Sequence, residues 1–288
     1  MKQQDEKQTT TRQHYIPQFY MKSWLNNYSK IHYLNIKEKR IGIVGSTKSI
    51  CCKDNCYELG KLEDKFILRN KYEKEYQMIE DKVAPLLKKL FLLFDVNENN
   101  SLILRKEEKE LLKEFVITTY TRNPKYNLNN DVKDICNDNH LYELQEILSR
   151  MFVNKKIENN IMENIVRNII ALPNPNYSNN MLGGSLYRQI ETYINDLHIS
   201  ILKTNNNFVF SDFPILFYDE PKLVYFPLSP NYALLFSSKN IISKPNRIYN
   251  ICDEDAMFFN IGYIQLNVCE YIYSNNDTNL QQILDVIK

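Results

Sequence analysis

An α+β fold is expected, with a mixed or antiparallel sheet drawn from N- and C-terminal strands around a helical middle. Three observations predict it. Strand-like apolar stretches lie near Lys30 to Val44, apolar residues recur every three or four positions from Tyr72 to Ile201, and strand-like runs return from Phe208. With 43% hydrophobic and 25% charged side chains over 288 residues, the chain can bury a sizeable core. The predicted organisation is a disordered arm over residues 1–13. One α+β domain over 14–288 follows, carrying a helical insert at about 72–203.

The elements follow in order. Residues 1–13 are polar and contain no apolar run, so neither a signal peptide nor a packed element is predicted there. Lys30-Ile31-His32-Tyr33-Leu34-Asn35-Ile36 alternates in part, and Arg40-Ile41-Gly42-Ile43-Val44 follows after a short polar link, predicting a β-hairpin. Tyr72, Tyr76, Ile79, Val83, Leu87, Leu90 and Phe94 form one helical stripe. Pro85 should bend that helix, because it lacks a backbone donor and crowds the Asp81 carbonyl. A second helix, roughly Arg105 to Tyr120, places Leu112, Phe115, Val116 and Thr119 on one face. It must stop near Arg122, since Pro124 disfavours helical backbone at Asn123.

Helical spacing recurs at Leu141, Leu144, Leu148 and Met151, and again at Ile157, Ile161, Ile165 and Ile169. After the break at Leu172-Pro173-Asn174-Pro175, a long helix is expected with Tyr187, Ile190, Ile194, Leu197 and Ile201 inward. Phe208-Val209-Phe210, Leu223 to Phe226 and Tyr232 to Phe236 read as short strands joining the same sheet as the early hairpin. Asp253 reads as the N-cap of a helix running to about Tyr271.

Composition excludes several functions. Six glycines and the lack of GxGxxG or GxxxxGK[ST] leave no glycine-built nucleotide cradle. A net charge of +1 gives no global case for nucleic acid and argues against a sequence-reading DNA binder. There is no PD-(D/E)xK, HxH or HNH pattern. No stretch is long and apolar enough to span a bilayer, so no membrane partner is expected. Cys51, Cys52, Cys56, Cys136, Cys252 and Cys269 are irregularly spaced, which suits a cytoplasmic chain with reduced thiols. The Cys51-Cys52-x-x-x-Cys56 group lacks a second Cys/His pair, so no metal site is assigned; cofactors and oligomeric state stay unassigned.

Three polar groups sit just before prolines: His14 ahead of Pro17, Arg122 ahead of Pro124, and Ser211-Asp212 ahead of Pro214. Proline fixes the local backbone, and the ends of elements are where sites are usually built. His14, Asp212 and Arg122 are the candidate catalytic residues. His14 can act as acid or base, Asp212 can orient it, act as base or hold a metal, and Arg122 can clamp a phosphate or carboxylate. Gln18 and Ser211 are the candidate substrate-binding residues, supplying neutral hydrogen bonds. Such a set suits a hydrolase or nuclease-like enzyme on a small-molecule or nucleotide substrate carrying phosphate.

Structural roles compete with each assignment. A histidine among aromatics is often a core residue bonded to a carbonyl, and Arg122 can bond the carbonyls ending its helix. Asp212 can form an Asx-turn, or pair with Arg122. The rival function is a non-catalytic module that binds a ligand or protein through an exposed aromatic surface of Tyr15, Phe19, Tyr20 and Trp24.

His14-Tyr15-Ile16-Pro17-Gln18-Phe19-Tyr20, Arg122-x-Pro124, Ser211-Asp212-x-Pro214 and Phe226-Pro227-Leu228-Ser229-Pro230 together resemble the bacterial domain-of-unknown-function family number 4238. The resemblance runs from about Gln13 to Ser274. It implies positions and no established activity; a host-defence setting is considered only by association with small bacterial proteins. The chain departs from the resemblance at Phe213, where a small or polar residue such as Asn is expected.

Overall fold

The computed structural model describes residues 11–58, 61–62, 65–66, 70–96, 101, 104–124, 185–205, 207–238, 241, 246–266 and 269–287. The first elements are β1 (Arg12–His14), α1 (Gln18–Lys22), β2 (Ile31–Asn35), β3 (Arg40–Val44) and β4 (Cys52–Asp54). A two-residue pair, β5 (Lys61–Leu62) and β6 (Lys65–Phe66), precedes the helices α2 (Lys71–Val96), α3 (Lys106–Thr121) and α4 (Ser185–Asn195). The strands β7 (His198–Lys203), β8 (Phe210–Ser211), β9 (Leu216–Tyr218), β10 (Leu223–Ser229), β11 (Tyr232–Ser237) and β12 (Ile248–Asn250) follow. The chain closes with α5 (Asp253–Gln265), β13 (Tyr271–Ser274) and α6 (Thr278–Ile287).

This is the α+β architecture expected, with N- and C-terminal strands flanking helices. The early hairpin β2–β3 joins β13 and β8 in an antiparallel sheet of order β3-β2-β13-β8. Strands near Ile31 and Phe210 therefore share one sheet. Leu223 to Ser229 and Tyr232 to Ser237 depart from that expectation: they form a second sheet, ordered β12-β7-β11-β10-β9. Every residue of β10 and β11 is buried, so these strands need cover on both faces and sit inside a layer of their own.

Four boundaries also differ. Arg12 and Gln13 lie in β1, with Gln13 fully buried, so structure begins before the predicted end of the arm. The long helix expected through Ile201 stops at Asn195, where the Leu197 amide donates to the Ile194 carbonyl. Ile201 belongs instead to β7: the β-branched residues Ile199 and Ile201 pair with Phe236 and Leu234 of β11. Asp253 is the first helical residue rather than the cap, and Cys252 stands at the N-cap position. That helix ends at Gln265, and Tyr271 opens β13 opposite Asn35. The helical patterns at 141–151 and 157–169 lie outside the described residues.

The predicted α2 stripe is buried, Ile79 and Val83 included, with Pro85 inside the helix. At its start α3 is tied to α2 by Glu108, which accepts from Lys89 Nζ at 2.7 Å and from the Arg105 amide at 3.0 Å. Those bonds hold its carboxyl well below the usual range, at about 2. Helix α1 bridges the two sheets. Tyr20 stacks on Phe226 of the second sheet at 5.2 Å and meets Phe210 of the first edge-on at 5.5 Å, while its hydroxyl donates to the Pro227 carbonyl. Trp24 packs on Phe210 at 4.9 Å. Tyr20 and Trp24 are thus core residues, not the exposed aromatic surface expected. Among the described residues no helix is long and apolar enough to cross a membrane.

Candidate functional site

His14 ends β1, where strand pairing sets it opposite Cys52 of β4. Two residues on, Ile16 and Pro17 are buried, and the extended backbone of Pro17 turns the chain into α1. Gln18 therefore sits above the histidine, its Nε2 3.4 Å from His14 Nδ1. The carbonyls of Thr47 and Lys48 lie near enough to the ring to favour its charged form, but burial outweighs them and lowers its pKa. His14 Nε2 is buried and closes no hydrogen bond.

Arg122 follows the last helical residue of α3, its amide donating to the Thr118 carbonyl. Its side chain does not turn back onto that helix end. Nη1 meets Glu80 Oε1 at 2.8 Å, Nε donates to the Tyr15 carbonyl at 3.1 Å, and the guanidinium lies 5.2 Å from the Tyr76 ring centre. Burial works against the charge, but Glu80 and the Tyr57 hydroxyl outweigh it, so the pKa lies above its ordinary value. Nη2 has no hydrogen-bond partner although the side chain is only 2% exposed.

Ser211 closes β8 and Asp212 follows it, near enough to Tyr15 to act on its hydroxyl. Ser211 Oγ donates to the Phe213 carbonyl at 2.6 Å and accepts from the Phe213 amide, which closes a local turn before Pro214. Asp212 Oδ1 accepts from the Glu270 amide at 3.1 Å, and the Asp212 carbonyl accepts from Asn123 Nδ2 at 2.8 Å. Tyr15 and Tyr273 both have pKa values raised by burial first, then by Cys51 and Asp212.

His14 and Gln18 are neighbours, and Arg122 reaches the same segment through the main-chain carbonyl of Tyr15, with the Glu80 charge felt by both His14 and Arg122. Ser211 and Asp212 reach that group through the main chain, by way of Asn123. The ion-pair partner of Arg122 is Glu80.

Sequence reasoning missed the acidic side of the cluster. Gln13 donates to Glu58 at 3.0 Å and accepts from the Tyr57 amide, and Glu58 also accepts from the Asn70 amide. Glu73 is pushed up to about 7, by burial first, with Arg122 opposing and Glu80 and Glu58 adding to the rise. Glu73, Tyr76 and Glu80 are spaced i, i+3, i+7, a signal that places two carboxylates on one helix face around a buried tyrosine. Among the described residues, no three His, Cys, Asp or Glu side chains are grouped as metal ligands. The five cysteines within them form no disulfide with one another, and Cys136 lies outside.

The sequence profile of the family described as "Protein of unknown function (DUF4238)" matches residues 12–278. The chain belongs to this family. No curated protein and no solved structure matches it. The DUF4238 match spans all three proline-flanked segments, both larger sheets and α2, which carries Glu73 and Glu80. The DUF4238 description names no activity.

Proposed function

We propose that the chain is a hydrolase acting on a phosphate-containing substrate at the His14–Arg122 cluster, with residues 14–288 forming one domain. The observation that carries this reading is the unbonded Nη2 of Arg122 on a side chain otherwise fixed by Glu80, Tyr15 and Tyr76. A buried guanidinium nitrogen without an acceptor is costly, and an oxyanion satisfies it. The second supporting atom is His14 Nε2, buried, with the Thr47 and Lys48 carbonyls near the ring but outside hydrogen-bond geometry. Other unbonded buried side-chain atoms among the described residues belong to hydroxyls and to the Trp24 indole, none of them charged.

In this reading Arg122 holds a phosphate oxygen. With its amide rotated by 180° from the orientation that sets Nε2 3.4 Å from Nδ1, Gln18 presents its carbonyl oxygen to Nδ1–H and leaves Nε2 of His14 as the lone-pair nitrogen. The lowered pKa keeps the ring uncharged at neutral pH and available as a base. Water adds to phosphorus as His14 takes its proton; the ester P–O bond breaks, and the leaving oxygen receives that proton from the imidazolium. Ser211 and Asp212 shape the neighbouring wall through their turn and through Asn123. The binding-module reading loses the surface it needs, because Tyr20 and Trp24 are fully buried.

The test is turnover of bis(p-nitrophenyl) phosphate, p-nitrophenyl phosphate and short oligonucleotides by the purified full chain, with and without Mg²⁺. His14→Ala should lose about 10²–10⁴-fold in rate while melting at nearly the same temperature. Arg122→Lys should also be impaired, since an ammonium cannot reproduce the planar fork. No turnover of any substrate, or a His14→Ala protein as active as the parent, would overturn the proposal.

A further inference from the structure

We infer that the site takes a singly charged phosphodiester in preference to a doubly charged monoester, and that Glu73 is the positioning residue whose protonation admits the anion. This rests on the phosphate reading above and narrows its substrate class.

The reasoning is one of charge around a single guanidinium. Arg122 offers Nη2, but its charge is already matched by Glu80 at 2.8 Å. The Tyr76 ring covers one face at 5.2 Å, so bulk water screens little there. Two more carboxylates follow outward from the pair, Glu73 facing Arg122 and Glu58 facing Glu73. Glu58 is held by Gln13 and Asn70 beside Tyr57, and Glu73 lies on the α2 face that carries Tyr76 and Glu80. The groups facing Glu73 are Arg122 from α3, Glu80 from its own helix, and Glu58 and Tyr57 from the segment after β4. His14 from β1 feels Glu80 and is uncharged at neutral pH.

An oxyanion reaching Nη2 therefore enters a neighbourhood with more carboxylates than cations. One negative charge is tolerable when Glu73 carries a proton; a second meets Glu80 and Glu58, and the other cation acting on the cluster among the described residues, Arg12, faces His14 of β1 rather than the Arg122–Glu80 pair. Burial, Glu80 and Glu58 have already lifted the Glu73 carboxyl to about 7 against Arg122, so it is partly protonated at neutral pH. A bound anion raises it further. By linkage, binding takes up a proton, and affinity is highest below that value and falls as pH rises through it.

The experiment is a ³¹P NMR titration of the full-length protein with dimethyl phosphate, singly charged at every pH used, and methyl phosphate, which gains its second charge near pH 6. At pH 8 dimethyl phosphate should bind about tenfold more tightly than methyl phosphate, and the gap should close at pH 5.5. Glu73→Gln should remove the fall in dimethyl phosphate affinity between pH 6 and 8. A second measurement needs no variant: the ¹³C titration of the Glu73 carboxyl should move upward when the protein is saturated with dimethyl phosphate. If methyl phosphate binds as tightly at pH 8, or if Glu73→Gln keeps the pH dependence, the inference falls while the phosphate site stands. If neither ester binds at any pH, the phosphate reading falls with it.

Discussion

At Gly262 of α5, a Cβ would lie 2.4 Å from the Tyr218 hydroxyl and 3.0 Å from Leu216 Cδ1. The hydroxyl is itself buried and makes no hydrogen bond. Gly262→Ala is expected to cost about 1–3 kcal/mol in urea unfolding, because both the Tyr218 ring and the Leu216 side chain must shift to make room. Tyr218→Phe alone should lie within about 0.5 kcal/mol of the parent, since the atom it removes has no partner, and in combination it should recover most of the Gly262→Ala loss. An additive double variant would show that the hydroxyl is not what blocks the Cβ. The same scale explains which site residues could be read in advance. His14, Gln18 and Arg122 stand out because prolines fix their backbones. The pairing of Arg122 with Glu80 was hidden, because it depends on how α2 lies against α3, and nothing in either segment encodes that crossing. Ser211 shows a rule winning locally: its hydroxyl bonds the Phe213 backbone, the turn that Ser and Asp before proline favour anyway.

Among the elements, α2 was legible because it buries one stripe and wets the rest, and the β2–β3 hairpin because two strand-forming runs flank a short polar link; Ile31 and Leu34 are both buried although they lie on opposite faces of β2. Ile79→Ala tests the α2 assignment: with Ile79 7% exposed in the core stripe, chemical denaturation should show a loss of about 2–5 kcal/mol. A loss below about 0.5 kcal/mol would mean that this stripe does not carry the packing. The second sheet was only half legible. Of its five strands only β10 and β11 could be recognised, and both are apolar on both faces, so no alternation shows which sheet they join. β7 was misread as helix for a related reason. Ile194, Leu197 and Ile201 satisfy a three-to-four spacing while Ile199 and Ile201 satisfy a spacing of two, and only pairing with β11 decides between them.

Across the whole molecule, the strand that completes the first sheet arrives last. β13 lies between β2 and β8, and its Ile272 pairs with Leu34 on one side and Ser211 on the other. A chain ending at residue 268 should therefore expose two bare strand edges and partition into the insoluble fraction. A soluble monomer of that length with parental circular dichroism would show that the sheet closes without β13. The same placement has a consequence during biosynthesis. At ~5–20 residues per second, the hairpin that ends at Val44 waits roughly ten to forty-five seconds before Tyr271 is polymerised. For that interval the β2 edge emerges from the ribosome with no mate, which makes the nascent polypeptide a natural client for chaperones that shield unpaired strands.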